Sequence, residues 1–185
     1  PGFADRENFG RKRLSLPPAD IVRMVRGQVD GFCDLARREA VPVAYLKLHG
    51  ALANMAAEDQ ALSTVIFRDI AERYPAMAMM VLENSAQHRA ASLLGLDVIA
   101  EAYADRAYMP DGLLASREMA GSIISDPEAV IARCIQLAEE GTIAVIDGSV
   151  LNSAATSVCL HGDTAGALQL ARAVRLALQS RHLLA

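Results

Sequence analysis

The chain has 185 residues, 52% of them hydrophobic and 22% charged, which suits a globular domain with its own core. A net charge of −4 and a pI near 5.6 exclude the basic face that nucleic-acid binding needs. No apolar run is long enough to span a bilayer, and no signal-peptide pattern is visible.

Residues 1–16 carry two glycines and many charges and read as a loop. A first residue that is not Met, inside a loop pattern, reads as an N-terminally incomplete chain. Pro17-Pro18 suits a helix start, where a missing N–H costs nothing. Ile21, Val25, Val29, Phe32 and Ala36 follow at helical spacing and predict one apolar face. Val43 to Leu48 predicts a strand that ends at His49-Gly50. Asp59 to Tyr74 predicts a helix through Leu62, Ile66 and Ile70. A strand over Ala78 to Leu82, a helix over Ala86 to Leu94 stopped by Gly95, and a strand over Asp97 to Ala102 come next. Asp126-Pro127-Glu128 marks a helix start by cap, proline and dipole, and Gly141 marks its end. Thr142 to Ile146 and Thr156 to Leu160 predict two further strands. Thr164 is placed to cap a last helix whose apolar side is Leu168, Ala171, Val174, Leu176 and Leu178.

Strands that are apolar throughout, alternating with helices, predict an α/β fold with a parallel sheet of about five strands. Cys33, Cys134 and Cys159 form no CxxC pair. They read as buried reduced thiols rather than as a disulfide framework or a zinc site, which fits a cytoplasmic setting.

Parallel α/β folds place their chemistry at the carboxyl ends of strands. His49, Glu101 with Asp105, Asp147, and His161 with Asp163 all fall at predicted strand ends. Lys47, two residues before His49, shares its strand face by the alternation of side chains. A Lys–His pair there suits an anionic or carbonyl-bearing substrate, with the imidazole moving a proton. Each residue also has a structural reading: Asp163 as a helix cap, Asp147-Gly148 as a turn, Asp105-Arg106 as an ion pair, Lys47 as a side chain reaching the sheet edge. His88 and His182 read as surface residues, and the methionines as core filler. The sequence holds no GxxxxGK[ST], GxGxxG, GxSxG or HExxH pattern. ATP binding by this chain alone is therefore not signalled, and a metal site would have to draw residues from several strands.

Five ordered motifs carry a resemblance. Pro1-Gly-Phe-Ala-Asp5 with Phe9-Gly-Arg11 resembles PGFPD…FGR. Leu46 to Asn54 (LKLHGALAN) resembles VKPHGALYN. Glu101 to Arg106 (EAYADR) resembles EVFADR, followed by Asp111-Gly112 and Arg117. Ser157 to Asp163 (SVCLHGD) resembles TICVHGD. These motifs run in order from Pro1 to the last helix, and the chain resembles the LamB/YcsF family over its whole length. The resemblance implies a (β/α) barrel of the glycoside hydrolase/deacetylase type, about seven-stranded when intact, with residues 1–185 as one domain lacking its N-terminal strands. It implies the A subunit of an ATP-dependent 5-oxoprolinase, which opens 5-oxo-L-proline to L-glutamate together with the B and C subunits. ATP would be used with those partners, and a divalent metal is open.

By motif position the resemblance carries over His49, Lys47, His161 and Glu101 as catalytic candidates. Asp5, Arg11, Asn54, Asp105, Arg106, Arg117 and Asp163 follow as substrate-binding candidates. His49 or His161 is then the acid/base group, Lys47 or Arg106 balances a substrate carboxylate or acyl-phosphate, and the acids orient the bases or hold a metal. Alanine at His49 is expected to abolish ATP-dependent glutamate formation. Three departures stand out: Ala53 replaces a Tyr, Leu48 replaces a Pro, and Leu82-Glu-Asn-Ser85 stands where LAGS is common. The family's opening DLN.D.GE and ACGFHAGDP segments have no counterpart in the chain, so the chain alone is expected to be inactive. Two other readings stay open: a non-catalytic scaffold within that complex, and a stand-alone metal-dependent deacetylase or amidase.

Overall fold

Pro18 fixes the first turn of the longest helix. The computed structural model describes residues 1–163 and 166–184, in two compact units, 1–99 and 100–185.

The first unit opens with a loop over residues 1–17 and helix α1 (Pro18–Arg38), which buries Ile21, Val25, Val29 and Cys33. Strand β1 (Tyr45–Leu46) leads into α2 (Gly50–Glu58) and then α3 (Gln60–Arg73). The Asp59 carboxylate caps α3 by accepting from Leu62 N–H at 3.0 Å, satisfying one of the free amides of the first turn. Strand β2 (Ala78–Leu82) lies parallel to β1, with Tyr45 opposite Ala78 and Leu46 opposite Met79. Helix α4 (Ala86–Leu93) follows. Ile66, Phe67, Ile70, Leu52 and Met79 fill the core between these elements. Arg73 and Tyr74 both bond Asp30, at 2.8 and 2.7 Å, which joins the end of α3 to α1. The phenol of Tyr74 is pushed up to about 12, first by that hydrogen bond and then by burial.

Strand β3 (Val98–Tyr103) starts at the end of the first unit and runs into the second. There it pairs parallel with β6 (Ser157–Cys159), Glu101 opposite Ser157 and Tyr103 opposite Cys159. Between them lie α5 (Pro127–Glu140), β4 (Thr142–Ala144) and β5 (Val150–Asn152). Asp126 caps α5 through Glu128 and Ala129 N–H, and Gly141 ends it at φ +61, the left-handed geometry that glycine adopts without Cβ strain. The final helix α6 (Ala167–Ser180) packs Val174 and Leu178 against Val130 and Cys134. Among the described residues no helix is long and apolar enough to cross a membrane.

Several expectations are corrected. On α1 the buried position is Cys33, and Phe32 is 61% exposed, because 29 to 33 continues the four-residue spacing and 32 falls off the stripe. A helix missed in the sequence, α2, begins directly at Gly50, and β1 is two residues long rather than six. The strand at 142–144 does not extend the parallel sheet. It folds back through Asp147-Gly148 onto the unpredicted β5, antiparallel, with Ile143 opposite Leu151. Asp147 is an exposed turn residue that accepts from Ser149 N–H at 2.9 Å. On α6, Leu168 and Leu176 are exposed. Cys159 is only half-buried. Gly166 occupies the cap position of α6, and Thr164 lies outside the described residues.

Candidate active site

In the first unit the loop over residues 1–11 is built around the turn from β1 into α2. His49 N–H donates to Pro1 C=O at 2.8 Å, and Ala51 N–H donates to Gly10 C=O at 2.9 Å. Gln28 clamps Gly2 through both its N–H and its C=O, at 3.1 and 2.8 Å, and Phe3 is buried. Glycines sit at the closest approaches of this loop. A Cβ on Gly2 would stand 3.3 Å from His49 C=O, and one on Gly10, at φ +66, 3.2 Å from Phe3 C=O. A Cβ on Gly50 would stand 2.4 Å from Gly10 C=O, and Gly50 sits at φ +62. No side chain other than hydrogen fits there.

Asp5 stands inside this loop. Its Oδ1 accepts from Asn8 Nδ2 at 2.9 Å, its C=O accepts from Gly10 N–H at 2.7 Å, and its Oδ2 is buried with no hydrogen-bond partner among the described residues. A buried carboxylate oxygen in that state is open to a donor from a ligand. The Arg11 guanidinium lies 5.8 Å from the centre of the Phe9 ring, within cation–π range. Past β1, Leu46 and Leu48 are buried while Tyr45 and His49 are exposed and Lys47 is half-buried. The alternation predicted from sequence thus puts Lys47 and His49 on one side of the backbone. Asn54 is half-buried on α2.

In the second unit a carboxylate holds an imidazole. Asp105, two residues past β3, faces His161, two residues past β6. His161 Nδ1 lies 2.8 Å from Oδ1 and 2.9 Å from Oδ2, and His161 N–H donates to Oδ2 at 2.9 Å. Burial alone pushes an acid up; here the His161 hydrogen bonds outweigh it and hold Asp105 below the usual carboxylate range. An ionised Asp105 accepts the Nδ1 proton, which leaves Nε2 as the nitrogen that takes up a proton. Tyr103 stacks on this ring at 5.8 Å between centroids, tilted by 36°. It shares a strand face with the buried Glu101, and burial, followed by the Glu101 charge, pushes its phenol far up. Tyr103 escaped the sequence reading; its period-two spacing from Glu101 was the signal that pointed to it.

Asp105, considered from sequence as the partner of Arg106, pairs with His161. Arg106 is buried and turned into its own loop, donating from Nε to Ser122 C=O at 3.1 Å and from Nη2 to Ala115 C=O. Arg133 on α5, also missed, braces the same loop through the carbonyls of Ala104, Arg106 and Ala144. Arg117 is half-buried, and Asp163 is exposed just after His161. Among the described residues no three His, Cys, Asp or Glu side chains converge as metal ligands.

The family model described as the LamB/YcsF family matches residues 1–184. A protein named as the A subunit of 5-oxoprolinase, from Paracidovorax citrulli, is 41% identical over 177 residues, covering 96% of this chain and 70% of that protein. One of the same name from Neisseria meningitidis serogroup A is 38% identical over 175 residues, covering 95% of this chain and 71% of that protein. The crystal structure of a lactam utilization protein from Thermus thermophilus superposes with a TM-score of 0.89 at 33% identity, over 98% of this chain and 72% of that one. The α/β, TIM-barrel-like fold is shared with that structure.

Proposed function

We propose that this chain, which belongs to the LamB/YcsF family, is the lactam-hydrolysing A subunit of an ATP-dependent 5-oxoprolinase. Its substrate is 5-oxo-L-proline, its product is L-glutamate, and it works with the B and C subunits in the cytoplasm. The observation that carries the reading is the Asp105–His161 pair. A lactam is a stable amide, and its opening needs a proton taken from the attacking oxygen nucleophile and one delivered to the ring nitrogen. His161 Nε2, oriented by Asp105 through Nδ1, does both in turn, a role worth ~10²–10⁴-fold in rate. Coupling to ATP supplies the driving force for opening an otherwise unreactive ring.

Arg106 is committed to its loop. In the first unit Lys47, His49, Asn54, Asp5 and Arg11 are the candidate residues of the reading, and in the second unit Glu101, Arg117 and Asp163 are. The name borne by the relatives and the lactam utilization protein support the substrate class. The test is co-expression with candidate B and C subunits and an assay of glutamate release from 5-oxoproline with and without ATP, for the parent and His161→Asn. ATP-dependent release that His161→Asn loses supports the proposal. Unchanged release in the variant removes His161 from the chemistry, and ATP-independent release favours a stand-alone amidase.

A further inference from the structure

The first unit holds an open surface pocket of about 550 Å³ lined by Gln60, Asn84, His88, Arg89, Ser92 and Leu93, none of them a candidate in the lactam chemistry. His88 and Arg89 are consecutive on α4, and consecutive helical residues point about 100° apart. A single peptide brings both to one pocket. Asn84 sits at φ +58, and in that conformation its N–H donates to His88 Nδ1 at 3.1 Å while its C=O accepts from Arg89 Nη1 at 2.9 Å. Gln60 Oε1 adds a second, longer contact to Arg89 Nε, 3.4 Å.

This arrangement fixes what each group offers. With Nδ1 accepting, the ring proton of neutral His88 is on Nε2, a donor. Arg89 retains Nη2, whose two N–H bonds are not used by either tether. Ser92 follows three and four positions later, on the same side of the helix, and adds a hydroxyl. None of the six lining residues is a carboxylate. Asp59, next to Gln60, is spent on capping α3. The first turn of α4 adds the positive end of a helix dipole.

From this convergence of tethered donors we propose that the Asn84–Ser92 pocket binds a phosphate-bearing ligand. An arginine head held in place before binding loses little side-chain freedom when it meets an anion, and charge-assisted bonds to phosphate are the strong ones. The proposal stands independently of the lactam chemistry.

The test titrates inorganic phosphate into the full chain while the His88 ring resonances are followed by NMR. The expected result is a saturable shift, weakened ~tenfold or more in Arg89→Met, which loses a charge-assisted bond. Ser92→Ala, whose side chain tethers neither His88 nor Arg89, weakens it less and guards against a variant that merely loosens α4. ATP moving the same resonances at lower concentration makes a nucleotide the source; ATP acting no better than phosphate makes it a free or smaller phosphate. No saturable shift, equal binding by Arg89→Met, or an equal response to acetate overturns the proposal.

Discussion

Two histidines follow two strands, and the turns that carry them are built differently. The turn at His49 in the first unit is built from backbone bonds and glycine: His49 N–H bonds Pro1, and Gly50 takes a left-handed backbone against Gly10 C=O. The turn at His161 in the second unit is built around a carboxylate, which meets both the backbone N–H and the ring Nδ1 of His161. An imidazole bonded through Nδ1 to an ionised carboxylate has its protonated nitrogen fixed, which prepares Nε2 for proton transfer.

The largest effect expected from this contrast is on turnover. His161→Asn is expected to lower ATP-dependent glutamate formation ~10²–10⁴-fold, and Asp105→Asn to follow it with a changed pH profile, because the tautomer is no longer fixed. His49→Ala also loses activity, but its pH profile is expected to keep the parent's shape. A profile altered by His49→Ala and not by Asp105→Asn would reverse the assignment.

The next effect is on stability in the first unit. Gly50→Ala drives a methyl onto Gly10 C=O in a left-handed backbone and is expected to cost about 3 kcal/mol or more, read by denaturant unfolding. His49→Ala leaves every backbone bond of that turn in place and is expected to cost less than Gly50→Ala does. Equal losses in the two variants would mean that the imidazole, and not the glycine contact, holds the loop.

A smaller effect is the acid limb of stability. Asp105 has a folded pKa below its ordinary 3.8, so its contribution is fully present above that value and is lost as pH falls from about 4 through the folded pKa. Parent and Asp105→Asn unfolding free energies, measured from about pH 6 to about pH 2, are expected to converge below about pH 4. Parallel curves would contradict the linkage. The smallest effect is the cap of α5: Asp126→Ala is expected to cost about 1 kcal/mol, seen as a lower unfolding midpoint with turnover unchanged.

The helices that carry their own punctuation were legible in the sequence. Asp126-Pro127 and Gly141 bound α5 because a cap, a fixed φ and a glycine act locally, and β2 was read at its observed limits. The motif residues were legible too, since His49, Asp105 and His161 all fall at strand ends. Phe32 was misjudged because the four-residue stripe of Ile21, Val25 and Val29 continues at Cys33, and Leu176 because burial depends on which element packs alongside, which composition does not report. Likewise the strand at 142–144 has the apolar pattern of a buried parallel strand, and its antiparallel partner is decided by the turn at Asp147-Gly148.

The sequence by itself determined the α/β class, the family and which side chains stand past the ends of the strands, because spacing and motif order are properties of the chain. Only the tertiary structure decided that Asp105 pairs with His161 across 56 residues. It also decided that the loop over residues 1–11 closes on Gly50. Both depend on distances set by strand pairing and packing, which no local pattern encodes.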